Sequence, residues 1–156
     1  YSTEFIIWAR KSPKVAHCFN YDLMKELNGG KQMTDVWQLP AIGKWEKSCG
    51  KHPTQKPLGL LARLIQASTQ PDAWILDPFS GSATTGIAAN LLGRRYLGLE
   101  KEDEFLSMSK ARRIELEDNH IRNEYVSRLI KAKHILPPDD SSSVADIDVS
   151  NYGIPW

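Results

Sequence analysis

A chain of 156 residues with 41% hydrophobic content is long enough for one domain with an apolar core, and its Leu, Ile and Val content does not suggest disorder. Its formal charge of +1 hides uneven placement: Lys11, Lys14, Lys31, Lys44, Lys47, Lys51 and Lys56 make the first third basic, whereas Asp139 to Asp148 is acidic. No apolar run approaches the roughly twenty residues of a membrane span, no signal-peptide pattern opens the chain, and Cys18 and Cys49 have no companion Cys/His spacing. Neither membrane insertion, a disulfide framework nor a zinc site is indicated, and a reducing cytoplasm fits best. The first residue, Tyr1, is not a methionine, which suggests a piece of a longer protein.

Thr3 to Ala9 is a β-branched and aromatic run, Arg10 to Lys14 a polar turn and Val15 to Phe19 a second apolar run, a pattern that predicts a hairpin. Asn20 to Asn28 fits a short helix stopped by Gly29-Gly30, and Lys31 to Gly50 has no sustained period, as a long functional loop would. Within it Trp37 and Trp45 are interleaved with Lys44, Lys47 and Lys51, a composition suited to base stacking and phosphate contact. Trp37 reads equally well as an anchor to the core; Trp45, amid charges, is the better candidate for touching a partner.

Pro57 is placed to open a helix over Leu58 to Gln70, whose apolar stripe is Leu58, Leu61, Leu64 and Ile65. Thr54 and Lys56 then lie beside a helix N-terminus, a site suited to a carboxylate or phosphate, the alternative being a buried polar cap. Trp74, Ile75 and Leu76 suit a buried parallel strand closed by Asp77. Gly81 and its small neighbours let backbone N–H groups approach a ligand, although Asp-Pro followed by Ser-Gly is also ordinary turn chemistry. A helix over Ile87 to Leu92 stops at Gly93, and Arg95 to Leu99 reads as a second strand ending in Glu100. An acidic residue about twenty positions after a glycine loop accepts ribose hydroxyls in dinucleotide-type folds. Glu100 stands there, unless it is simply a solvated charge opening the next helix.

That helix, Asp103 to Asp118, is expected to bury Phe105, Met108, Ala111, Ile114 and Leu116 and to turn Lys110, Arg112 and Arg113 outward. Ile121 to Lys133 fits one more helix, Leu136 to Ser143 a linker, and Val144 to Trp156 carries no signal.

Taken together, His52-Pro-Thr-Gln-Lys-Pro57, a helix, Asp77-Pro-Phe-Ser-Gly-Ser-Ala-Thr-Thr-Gly86 and Gly98-Leu-Glu100 resemble the β-group of DNA amino-methyltransferases, the N6-adenine and N4-cytosine enzymes of restriction–modification systems. The resemblance covers about the first 118 residues, with Thr3 to Ala9 as the antiparallel hairpin strand of that fold. It implies an α/β, Rossmann-like sheet with the hairpin at one edge. It also implies that Asp77, Phe79, Gly81 and Ser82 line an S-adenosylmethionine pocket, that Thr54 and Lys56 hold the methionine carboxylate, and that Glu100 takes the ribose hydroxyls. Residues 20–50 fall where the family places part of its target-recognition region, so Lys31, Lys44, Trp45, Lys47 and Lys51 are the expected DNA contacts.

Two departures stand out. Ala83 replaces a usual glycine, which implies strain if its φ is positive. The Asp/Ser/Asn-Pro-Pro-aromatic tetrapeptide, which accepts the exocyclic amine and stacks on a flipped base in this family, is absent: Pro137-Pro138 is preceded by Leu136 and followed by Asp139. The resemblance thus divides the chain into a partial methyltransferase domain at 1–118 (hairpin 1–19, recognition loop 20–50, cofactor-binding segment 51–118) and a helix, linker and tail at 119–156. The middle of the sheet is not encoded, which would leave strand edges and apolar faces uncovered. Expected partners are double-stranded DNA and an N-terminal half or second polypeptide carrying the tetrapeptide, with a second copy of the chain a further candidate. The chain alone is expected to be inactive, and adenine N6 is the favoured target. The competing reading is a non-catalytic nucleic-acid-binding or assembly module on the same fold.

Overall fold

The computed structural model describes residues 3–137, so the linker and tail expectations from residue 138 onward lie outside the described residues. The elements in order are helix α1 (Tyr21–Leu27), a 3-10 turn (Lys44–Lys47), α2 (Leu58–Ser68), strand β1 (Trp74–Asp77), α3 (Thr84–Leu91), β2 (Arg95–Gly98), α4 (Asp103–Glu115) and α5 (Asn119–Lys131). Among the described residues the sheet has two strands, β1 and β2, parallel and paired so that Ile75 faces Tyr96 and Asp77 faces Gly98. This is the expected strand–loop–helix–strand unit, and no helix of it is long and apolar enough to cross a membrane.

The core lies on one side of that sheet. Leu58, Ala62 and Ile65 of α2 meet Ile87, Ala88 and Leu91 of α3, with Tyr96 beneath and Tyr125 and Leu129 of α5 closing the cluster. A second cluster joins Met24 and Leu27 of α1 to Ala67 of α2. Side chains alternate along a strand, so burying Ile75 and Tyr96 sends Trp74, Leu76 and Leu97 to the opposite face. That face is bare among the described residues, Leu76 being 62% exposed.

Three helix boundaries have clear local causes. Gly93, at φ 66, ends α3 in the left-handed conformation that glycine adopts without penalty. The Asp118 carboxylate caps α5, accepting from the backbone N–H of His120 at 2.7 Å. At the start of α2 the buried Glu46 carboxylate accepts from the Leu58 N–H at 2.7 Å and from the Gly43 N–H at 3.1 Å.

The expected hairpin does not form. The turn exists, with the Val15 N–H donating to the Ser12 carbonyl at 3.1 Å, and the Trp8 ring meets His17 at 4.7 Å and Phe19 at 5.3 Å, so the two arms touch. Neither arm is a strand, and Phe5 is 94% exposed. An isolated two-stranded ribbon is marginal in water, and among the described residues no third strand or apolar layer backs it.

Ile87→Ala, emptying a core site, is expected to cost about 2–5 kcal/mol. Leu76→Ala, on the bare face, is expected to cost less than about 0.5 kcal/mol in this chain. Urea unfolding of the two variants measures the contrast, and equal costs would mean that the bare face is covered.

Candidate functional site

The site grows from the ends of the two strands. The Leu99 N–H donates to the Asp77 carbonyl at 2.9 Å, and the Ser80 N–H to the Leu99 carbonyl at 2.9 Å, stitching the loop after β1 to the exit of β2. The Asp77 carboxylate turns back on its own loop and accepts from the Phe79 N–H at 3.1 Å. Gly81, at φ 51, aims its N–H at Glu100, whose Oε2 accepts at 2.7 Å. Parallel α/β sheets bind ligands outside the carboxyl ends of their strands, where this loop lies.

Glu100 holds both walls at once. Its Oε1 accepts from the backbone N–H groups of Lys101 at 2.8 Å and Glu102 at 2.9 Å, while Oε2 serves Gly81. These donors, Glu102 foremost, hold its carboxyl below the ordinary value of 4.5. An ionised carboxylate has about four lone-pair sites. Three are taken, which leaves capacity for a hydroxyl donor.

Residues 51–57 run alongside. A Cβ on Gly81 would stand 3.0 Å from the His52 Nε2, and the His52 ring lies 4.1 Å from that of Phe105 on α4, so His52 wedges its segment against the loop. The Thr54 N–H donates to the His52 Nδ1 at 3.2 Å, and Thr54 itself is exposed. Lys56 is bound by the Glu4 carboxylate, at 2.6 Å and 2.7 Å to its two oxygens, with both side chains about half exposed. Of the two readings of the α2 N-terminus beside them, the buried polar cap is what the structure has, and Glu46 supplies it from within the core.

Ser82 is buried, its hydroxyl 3.4 Å from that of Thr84, and Phe79 projects with 89% exposure at the mouth of the site. Between Ser82 and Thr84, Ala83 takes φ 54 and ψ 37. The left-handed conformation costs a residue with a Cβ about 1–2 kcal/mol. Its methyl group is buried in the core, which returns about 0.8 kcal/mol.

Two residues were missed and three on α4 were misplaced. His52 and Glu4, unassigned in the sequence, contact the site through Gly81 and Lys56. Arg112, expected outward, is buried with 2% exposure, whereas Ala111 and Ile114, expected inward, are exposed. Met108, Arg112 and Leu116 recur every four residues, and that period carries Arg112 to the core side of α4.

Among the expected DNA contacts, Lys31, Lys44 and Lys51 are exposed and Lys47 is half-buried. Trp45 is otherwise placed. Its ring lies edge-on to Tyr125 at 5.0 Å under the Arg128 guanidinium at 5.2 Å, and its carbonyl accepts from the Tyr125 hydroxyl at 3.2 Å. With Arg128 over its ring, Trp45 anchors its loop to α5 instead of offering a free stacking surface. Trp37 is also an anchor, its indole N–H donating to the Thr34 carbonyl at 2.7 Å below Arg63 of α2.

The Glu100 carboxyl is expected to contribute stability above its unfolded-state value and to lose that contribution as pH falls through its depressed folded-state value. Thermal unfolding followed from neutral pH to about pH 3 should show this acid-side loss, and Glu100→Gln should reduce it. An unchanged acid limb in the variant would remove Glu100 as the closing group.

The family model described as DNA methylase, for N6 and N4 methylases, matches residues 1–111. The type II methyltransferase M2.MboI of Moraxella bovis is 61% identical over 131 residues, 84% of this chain and 48% of that protein. M2.DpnII of Streptococcus pneumoniae is 58% identical over 113 residues, 72% of this chain and 42% of that protein. The chain spans about half the length of the curated relatives it matches. Among solved structures, the M1.HpyAVI–SAM complex superposes with a TM-score of 0.50 at 35% identity, covering 64% of this chain and 45% of that one. The chain belongs to the N6/N4 DNA methylase family.

Proposed function

We propose that this chain is the cofactor-binding part of a restriction–modification DNA methyltransferase, which moves a methyl group from S-adenosylmethionine to an exocyclic base amine, adenine N6 in preference to cytosine N4. The observation that carries the reading is the closure of the Gly81 loop by Glu100 at the carboxyl ends of two parallel strands. The donor set suits the cofactor. Glu100 keeps an acceptor site for a ribose hydroxyl, Gly81 presents backbone where a side chain would collide with His52, and Lys56 is already in contact with a carboxylate.

When bound, S-adenosylmethionine supplies an electrophilic methyl group. The chain's own residues bind and orient. Asp77 and Glu100 set the two walls, Phe79 stands at the mouth, Ser82 supports the loop from its buried side, and Thr54 and Lys56 take the carboxylate once Glu4 has left. An exposed pair such as Lys56–Glu4 is worth about 1 kcal/mol or less, so that exchange is cheap. Lys31, Lys44, Lys47 and Lys51 contact DNA phosphates, Trp45 holds their loop in place, and the protein works in the cytoplasm.

Nothing in 1–156 supplies the acceptor tetrapeptide, and the face carrying Trp74, Leu76 and Leu97 is bare among the described residues. A second polypeptide, or the N-terminal half of the same protein, supplies both the tetrapeptide and the cover.

Calorimetry with S-adenosylmethionine, on the chain alone and mixed with such an N-terminal half, tests this. Cofactor binding and methyl transfer confined to the mixture are expected; DNA binding indifferent to the cofactor in both samples would favour the non-catalytic module and sink the proposal. Asp77→Ala should abolish cofactor binding with the far-ultraviolet spectrum unchanged, and retained affinity would take Asp77 out of the site. Neutralising Lys31, Lys44, Lys47 and Lys51 together should flatten the salt dependence of DNA affinity, by about 0.9 in logarithmic slope for each lost phosphate contact.

A further inference from the structure

We infer that Arg112 is a positioning residue for the cofactor loop, clamping the Ser82–Thr84 turn from beneath. The inference rests on the reading of that loop as the S-adenosylmethionine site.

α4 carries Arg112 inward between Met108 and Leu116. Its Nη1 donates to the Ser82 carbonyl at 2.6 Å and to the Thr84 hydroxyl at 3.1 Å. Those two acceptors bracket Ala83, the left-handed residue of the loop. The Ser82 carbonyl belongs to the peptide plane whose rotation sets the φ of Ala83, so a donor fixed on that oxygen fixes the turn. A strained backbone conformation of this kind persists only where its surroundings over-determine it.

The guanidinium has no other local task. Its Nε and Nη2 make no hydrogen bond among the described residues, and no carboxylate forms an ion pair with it; Glu46 and Glu115 act on it only at longer range. Burying a cation without a paired anion is costly. The hydrogen bonds it does make all go to this turn, so the turn is what its burial serves. The loop is thus held from two sides, by Glu100 on the Gly81 amide and by Arg112 on the Ser82 carbonyl.

Arg112→Met keeps much of the side-chain volume and deletes the donors; Arg112→Lys restores one cationic donor. Amide hydrogen exchange of the full chain should rise about tenfold or more at residues 81–87 in Arg112→Met, with α2 and β1 unchanged, and Arg112→Lys should recover part of the protection. With the N-terminal half added to the same samples, the dissociation constant for S-adenosylmethionine should weaken roughly 10–100-fold in Arg112→Met, the range expected for losing a hydrogen bond to a charged group. Arg112→Lys should again lie between. Unchanged exchange at 81–87, or faster exchange spread evenly over α2, α3 and α5 with no rescue by lysine, would overturn the clamp. A local exchange effect in a wild-type chain that binds no S-adenosylmethionine even when mixed with the N-terminal half would keep the clamp and overturn the cofactor reading instead.

Discussion

Glu100 can close the Gly81 loop only because β1 and β2 run parallel and in register. Asp77 lies opposite Gly98, so the two chain exits leave the sheet side by side, and a side chain two residues beyond Gly98 reaches the amide four residues beyond Asp77. A slip of one residue would turn Ile75 and Tyr96 away from the helices and carry Glu100 off the loop. Core packing and site geometry are therefore set by the same register. Ile75 and Tyr96 are held under α2, α3 and α5 by apolar burial, and the closing hydrogen bond follows from it.

The one-sided core has a consequence for the other face. Parallel sheets are normally covered on both faces because their crossover helices fall on either side. Here α3, the crossover between β1 and β2, packs with α2 and α5 on the face of Ile75 and Tyr96, leaving Trp74, Leu76, Leu97 and Leu99 outside. Arg95 lies over the Trp74 ring at 5.8 Å, which covers one indole and no more. The extended arm of Phe5 and Ile7 is bare for a related reason: its pattern is that of a strand, but it has no sheet to join.

Much of this was legible in the sequence because local signals and burial agreed. β1 and β2 are short apolar runs bounded by Asp77 and Gly93, and the helices carry their own stops, so the elements fall within a few residues of where the pattern put them. The hairpin was misread because alternation reports a preference for a sheet, not its presence. Arg112 was misread because charge was weighed above period; the spacing of Met108, Arg112 and Leu116 already placed it inside. Trp45 was misread because its neighbours in sequence are charged, whereas its neighbours in space, Tyr125 and Arg128, lie some eighty residues away. At the α2 terminus a buried polar cap is one of the two sequence readings, but nothing local shows that Glu46, twelve residues before Leu58, folds back to supply it.

Three carboxylates from this chain now sit on positions suited to an anionic or hydroxyl-bearing ligand, and their burial separates their roles. Glu46 is 5% exposed and serves two backbone amides; removing it would leave the buried Leu58 donor and the half-buried Gly43 donor unpaired, so it is fixed structure. Glu100 is fixed by three amides but keeps an open acceptor site, so it can add a ligand contact without giving up its own. Glu4 alone is both exposed and bound through nothing but an exposed ion pair, on an arm with no ladder to hold it. Of the three positions, only Lys56 can change partners at little cost. Within the proposed site the ligand's carboxylate has one entry, through the exchange of Glu4, while its hydroxyls meet a wall that is already rigid.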